Sequence, residues 1–140
     1  MPSAKMNDVD ITTLATMQGA LTSITDEMSQ VVVRTARSPV FKLAKDFSCT
    51  LCDWQARQMI QGDAELPVHV GSIPFVCRAV AEAYEGDIAS GDTFLCNDPA
   101  FGGLHLNDVA LLRPVFVDGA LLFWAVIRAH WLDLGGPSPA

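Results

Sequence analysis

From Asp8 to about Arg37 the apolar residues recur at helical spacing. Ile11, Leu14, Ala15, Leu21, Ile24, Met28, Val31, Val32 and Ala36 trace one stripe, with Thr, Ser, Gln, Asp and Glu opposite. The pattern predicts a long amphipathic helix occupying an N-terminal unit of residues 1–38. Asp10 and Thr12 are both suited to cap it, and Pro39 forbids continuation beyond Ser38. Its stripe reads as core or as a subunit contact. The polar face lacks the lysines and arginines that anionic lipid attracts, which disfavours a membrane-surface role.

Beyond Pro39 the period shortens. Two β-prone runs, Lys45–Asp53 and Gln58–Gln61, flank a four-residue connection and predict a hairpin, with Asp46 at the entrance of its first strand. Leu66–Pro74 reads as a loop leading into a second helix, with Ser72 as N-cap and Pro74 in the first turn. Val76, Ala79, Val80 and Ala83 mark that helix's buried face. Thr93–Cys96 is a short strand ending in the Asn97-Asp98-Pro99 turn. Val109–Val117 and Ala120–Ala129 form an almost symmetric arm about Asp118-Gly119, a two-residue hairpin signal. These elements amount to an α+β class: a long N-terminal helix, mixed β-strands and hairpins, and one further helix, with residues 39–140 as the second unit.

The candidate chemistry lies at the ends of this arm. In NDPAFGGLHLND the glycines Gly102 and Gly103 let the backbone bend or approach a ligand closely. His105 and Asp108 stand three residues apart at the start of one strand. The hairpin returns the chain to the same level, so His130 is expected beside them. Two imidazoles with carboxylates suit Zn²⁺, Mn²⁺ or Fe²⁺ rather than Ca²⁺ or Mg²⁺. Spacing alone leaves a second reading open, in which His105 and Asp108 satisfy backbone groups in a turn and His130 packs at an edge. His69, between Val68 and Val70, is either a satisfied, partly buried histidine or a substrate-facing one.

Half of the 140 residues are hydrophobic and 18% are charged, an apolar balance that implies cover by other protein or membership of a larger subunit. The net charge of −7 excludes a basic nucleic-acid footprint. No apolar run reaches membrane-spanning length, and MPSAKMNDVD carries no apolar signal region, so a cytoplasmic location is expected. Cys49, Cys52, Cys77 and Cys96 read as free thiols. The CxxC of Cys49 and Cys52 spans opposite strand faces and reads as two small buried hydrophobes. There is no GxSxG elbow and no GxxxxGK[ST] loop.

DFSCTLCD, LPVHVGSIP, SGDTFLCNDP, GGLHLNDVALLRPVF and AHWLDLGG, in that order, closely resemble the N-terminal part of the hydantoinase B/oxoprolinase family over about Thr35–Gly136. Two positions depart from the family pattern: Leu104 stands where a threonine is usual, and Ala100 separates Pro99 from Phe101. The resemblance implies a divalent-metal site at His105, Asp108 and His130, with Asp46 as fourth ligand and zinc, manganese or iron as the ion. It leaves His69, Asn97, Asp98, Gly102, Gly103 and Asp133 beside the site, with Asp133 as a candidate to orient an imidazole. The catalytic residues stay unassigned. The implied activity is ATP-dependent opening of a cyclic amide such as a hydantoin, lactam or 5-oxoproline. Implied partners are a hydantoinase A-type subunit, which binds ATP and Mg²⁺, and the remainder of the B-type subunit, since family members run on for several hundred residues. The alternatives are a ketone carboxylase subunit of the acetone carboxylase type and a non-catalytic structural piece.

Overall fold

The computed structural model describes residues 9–62, 66–135 and 137. One antiparallel sheet of five strands organises them in the order β2-β1-β5-β4-β3. The strands are β1 (Phe47–Asp53), β2 (Gln58–Gln61), β3 (Phe94–Cys96), β4 (Asp108–Val117) and β5 (Ala120–His130). Helix α1 (Ile11–Thr35) lies on one face and helix α2 (Pro67–Ala83) on the other.

The alternation of side chains along β1 explains the two layers. Phe47 and Cys49 turn towards Met28, Val32 and Val33 of α1, while Cys52 turns towards Ile73, Val76, Cys77 and Val80 of α2. Cys49 and Cys52 therefore do face opposite ways, and none of the four cysteines is in a disulfide. The larger core lies on the α2 side around Trp124, Val126, Ala110 and Leu112, all fully buried. Phe94 packs at a tilt against Trp124 with ring centroids 5.9 Å apart.

Asp10, not Thr12, caps α1, its carboxylate accepting from Thr13 N at 2.9 Å. Only part of the helix stripe packs on the sheet: Met28 and Val32, with Val33, lie against Phe47 and Cys49, whereas Ile11, Leu14, Ile24 and Val31 are exposed. Between Val40 and Ala44 the chain makes one π-helical turn that ends at Lys45 in the left-handed region and delivers Asp46 to the sheet.

Helix α2 departs from expectation. It begins at Pro67, so His69, Ser72 and Pro74 lie inside it rather than in a loop. Pro67 takes the N1 position, where a missing N–H is harmless, and the preceding Leu66 N donates to Ser48 Oγ on β1. Ser72 is not a cap; its hydroxyl donates back to the His69 carbonyl at 2.7 Å. The buried face accordingly runs through His69, Val70, Ile73, Val76, Cys77 and Val80, with Ala83 exposed.

The long hairpin forms as its turn chemistry predicts. Asp118 and Gly119 both take positive φ, 50° and 78°, the combination of a two-residue turn that matches strand twist. Register then pairs Asp108 directly with His130. Pro114 sits in β4 beyond the three-residue reach of β3, so its missing N–H disrupts no outer ladder. No described helix is long and apolar enough to cross a membrane.

Candidate metal centre

At the end of the sheet where β4 begins and β5 finishes, four segments converge. Asp46, Val68, His69, Leu104, His105, Asp108 and His130 line a cleft of about 380 Å³. Asp108 is its centre. One carboxylate oxygen lies 2.8 Å from His130 Nδ1, and the other lies 3.3 Å from His105 Nδ1. Oδ2 also accepts from the His105 backbone N–H at 3.1 Å. Among the described residues, His105, Asp108 and His130 offer ligand atoms all within 4.8 Å of one another. Two ligand atoms on one ion with bonds near 2.1 Å lie at most about 4.2 Å apart, so a small inward adjustment suffices.

Asp46 reaches the same cleft by another route. Its backbone carbonyl accepts from His130 N at 3.0 Å, and its carboxylate faces His69 Nε2 at 3.7 Å. His69 Nε2 also lies 3.9 Å from Asp108 Oδ1. Asp46 is thus beside the triad but not within the 4.8 Å group. Asp108 belongs to both sets of contacts.

Burial works differently on the two central groups. Asp108 is 2% exposed. Desolvation pushes its carboxyl up, but the His105 N–H, the His130 ring and the neighbouring imidazoles outweigh it and hold the group below the ordinary carboxylate range. It is an anion at neutral pH, as a metal ligand must be. His69 is 3% exposed, and desolvation lowers its pKa despite the pull of Asp108 and Asp46. A neutral imidazole with an available ring nitrogen results. Its Nδ1 has no hydrogen-bond partner among the described residues.

The remaining expected residues support the loop rather than face the cleft. Asn97 Nδ2 donates to the Leu106 carbonyl at 2.7 Å, and Asp98 O accepts from Gly103 N at 3.1 Å. The glycines approach protein, not ligand. A Cβ on Gly102 would stand 2.6 Å from Val76 N, and one on Gly103 2.7 Å from Asp98 O. Asp133 does not reach an imidazole: its carboxylate accepts from Gly135 N at 2.7 Å. The carboxylate that orients His130 is Asp108.

Two contributors escaped the sequence reading. Asn107 clamps the site from below, its side chain donating to Trp131 O at 2.6 Å while its carbonyl accepts from Trp131 N at 2.8 Å. This staples the residue before Asp108 to the residue after His130. An asparagine between Leu106 and Asp108 in HLND, beside two candidate ligands, was the available signal. The other is Arg128, fully buried on β5, whose guanidinium reaches Gly102 O at 2.9 Å. Nothing in the apolar run around it marked it out.

The protein is thus an antiparallel α+β layer with an acid–imidazole cluster at its sheet end. The chain belongs to the hydantoinase B/oxoprolinase family, whose model matches residues 10–140. It is 42% identical over 135 residues to the caprolactamase subunit beta of Pseudomonas jessenii, covering 96% of this chain and 23% of that subunit. It is 34% identical over 114 residues to the 5-oxoprolinase PfmaA of Pestalotiopsis fici, covering 81% of this chain and 9% of that protein. The crystal structure of the ATP-dependent caprolactamase from Pseudomonas jessenii superposes with a TM-score of 0.87 over 96% of this chain and 23% of that one. Nucleotide-free acetone carboxylase shares the fold with a TM-score of 0.80 at 21% identity, over 90% of this chain and 17% of that chain. The chain therefore spans about a quarter or less of the length of these relatives.

Proposed function

We propose that this chain is the metal-bearing N-terminal part of a B-type subunit in an ATP-dependent amidohydrolase that opens cyclic amides. The observation that carries the reading is the convergence of His105, Asp108 and His130 on one cleft from the two ends of a hairpin. The names of its relatives support the substrate class, because caprolactam and 5-oxoproline are both cyclic amides.

His105, Asp108 and His130 would hold the ion, with Asp46 closing the set; zinc or manganese suits these donors best, and iron is compatible. A divalent ion bound there supplies Lewis-acid polarisation of a carbonyl oxygen, or a water acidified towards neutral pH. The protein's own part is positional. Asp108 stays ionised and steers both histidines. Val68 and Leu104 give the cleft apolar walls that limit water around a substrate ring. His69 presents an imidazole nitrogen between two carboxylates, where it can hydrogen-bond a bound polar group. ATP and its Mg²⁺ belong on a hydantoinase A-type partner, since this chain has no phosphate-cradling loop.

Elemental analysis of the purified chain should find near-stoichiometric Zn, Mn or Fe, and His130→Ala should lose most of it. Full retention of metal by His130→Ala would sink the convergence argument. Reconstituted with an A-type partner and the rest of the B-type polypeptide, the complex should open a lactam in the presence of ATP without bicarbonate. Turnover that requires bicarbonate would instead make it a carboxylase subunit.

A further inference from the structure

The buried guanidinium of Arg128 is costly unless its donors and charge are used. It lies on β5 two residues before His130 and, by strand alternation, on the same face. One terminal nitrogen donates to Ser72 Oγ of α2, and the other donates to Gly102 O at 2.9 Å. Ser72 Oγ in turn donates to the backbone carbonyl of His69, one turn earlier in the helix. Gly102 opens the Gly-Gly-Leu run that ends at His105. Gly102 is at φ 83° with no room for a Cβ against Phe75 and Val76, so that this loop can sit only where the helix allows.

Three elements that each contribute a histidine to the cleft, α2 with His69, the glycine loop with His105 and β5 with His130, are therefore tied through one side chain. We propose that Arg128 is a positioning residue that assembles this site before any ion arrives, acting chiefly through the Gly102 carbonyl on the loop that carries His105. The proposal rests on the metal-site reading above for its consequence on affinity, but not for the tie itself. Lysine keeps the charge yet offers a single ammonium in place of a rigid fork, and cannot reach two acceptors on opposite elements in the same way.

The test is Arg128→Lys, measured in two ways on the 140-residue chain. Mn²⁺ affinity by titration should weaken about ten-fold, the scale of a lost support behind a metal ligand. In a His105→Ala background the same change should cost less than about two-fold, because residues acting through one another are not additive. In metal-free protein, amide hydrogen exchange should accelerate about ten-fold at Gly103 and Asp108, while Leu112 and Val126 in the sheet stay unchanged. Ser72→Ala, which leaves the guanidinium in place, should move both readouts in the same direction by less, and it serves if Arg128→Lys does not fold.

Unchanged affinity with unchanged loop exchange would overturn the proposal. So would losses that multiply with His105→Ala, or exchange that rises throughout the sheet, since either makes Arg128 a general stabiliser. If the parent takes up no Mn²⁺, the metal reading fails, and the exchange at Gly103 and Asp108 still decides whether Arg128 holds the loop.

Discussion

Asp53 and Asp108 are both buried carboxylates at a strand end, 5% and 2% exposed, and both are held below the ordinary carboxylate range. Their partners differ in kind. Asp53 spends its oxygens on its own turn: Oδ1 accepts from Gln55 N at 2.9 Å and Arg57 N at 2.8 Å, and Oδ2 takes the Arg57 side chain at 2.7 Å. Every partner lies within four residues, none is a metal-ligating group, and the hairpin of β1 and β2 is the product. Asp108 takes one partner from its own loop and another from 22 residues away, both imidazoles, with a third imidazole on α2 behind them. A carboxylate saturated locally by N–H donors closes a turn. One that collects titratable rings from separate elements is placed for a ligand.

Substitutions can break this contrast. The largest expected effect is on metal uptake: Asp108→Asn should weaken Mn²⁺ or Zn²⁺ binding about 100-fold or more, since loss of mere supporting groups already costs 10–100-fold. Asp53→Asn should leave binding within about two-fold. Comparable losses from both, by calorimetric titration, would erase the distinction.

Next comes stability of the loop that presents His105. Gly102→Ala forces a Cβ against helix backbone at a positive φ. It should cost about 2–3 kcal/mol in urea unfolding, from αL strain and overpacking together. Asp53→Asn should cost about 1.5–3 kcal/mol, because it leaves charge-assisted bonds half made. A neutral result there would mean that the β1–β2 turn does not need its carboxylate.

The smallest effect is a pH slope. Asp53 has a depressed carboxyl pKa; burial opposes the shift, and the Arg57 and Gln55 donors overcome it. Below the unfolded-state pKa of about 3.9 the unfolded chain binds the proton first. The carboxylate's contribution is thus complete above that value and is lost as pH falls through the folded pKa. Thermal unfolding of the parent should fall faster than that of Asp53→Asn on going from pH 5 to pH 2. Parallel curves would remove Asp53 from the acid response.

What could be foreseen followed from locally encoded rules. Asp118-Gly119 dictates a turn, the two arms are nearly equal, and so Asp108 meets His130 in register. The same logic separates Cys49 from Cys52 across the sheet. The start of α2 differs from expectation because two prolines, Pro67 and Pro74, compete for its first turn. Ser48 on β1, receiving Leu66 N, favours the earlier one, and no window of sequence contains that partner. Asp133, a candidate from the resemblance to orient an imidazole, is instead held by a short local bond from Gly135 N.

The hairpins, the two helices, the His105–Asp108–His130 convergence and the family are thus legible in the residues alone, because turn chemistry, period and ordered motifs are local and survive without context. The burial of His69 against Asp46 and Asp108 depends instead on how the layers pack. The same layering sets Gly102 against α2 and lets Arg128 tie helix, loop and strand together. Those contacts join residues tens of positions apart, and what selects them is which helix lies on which face of the sheet.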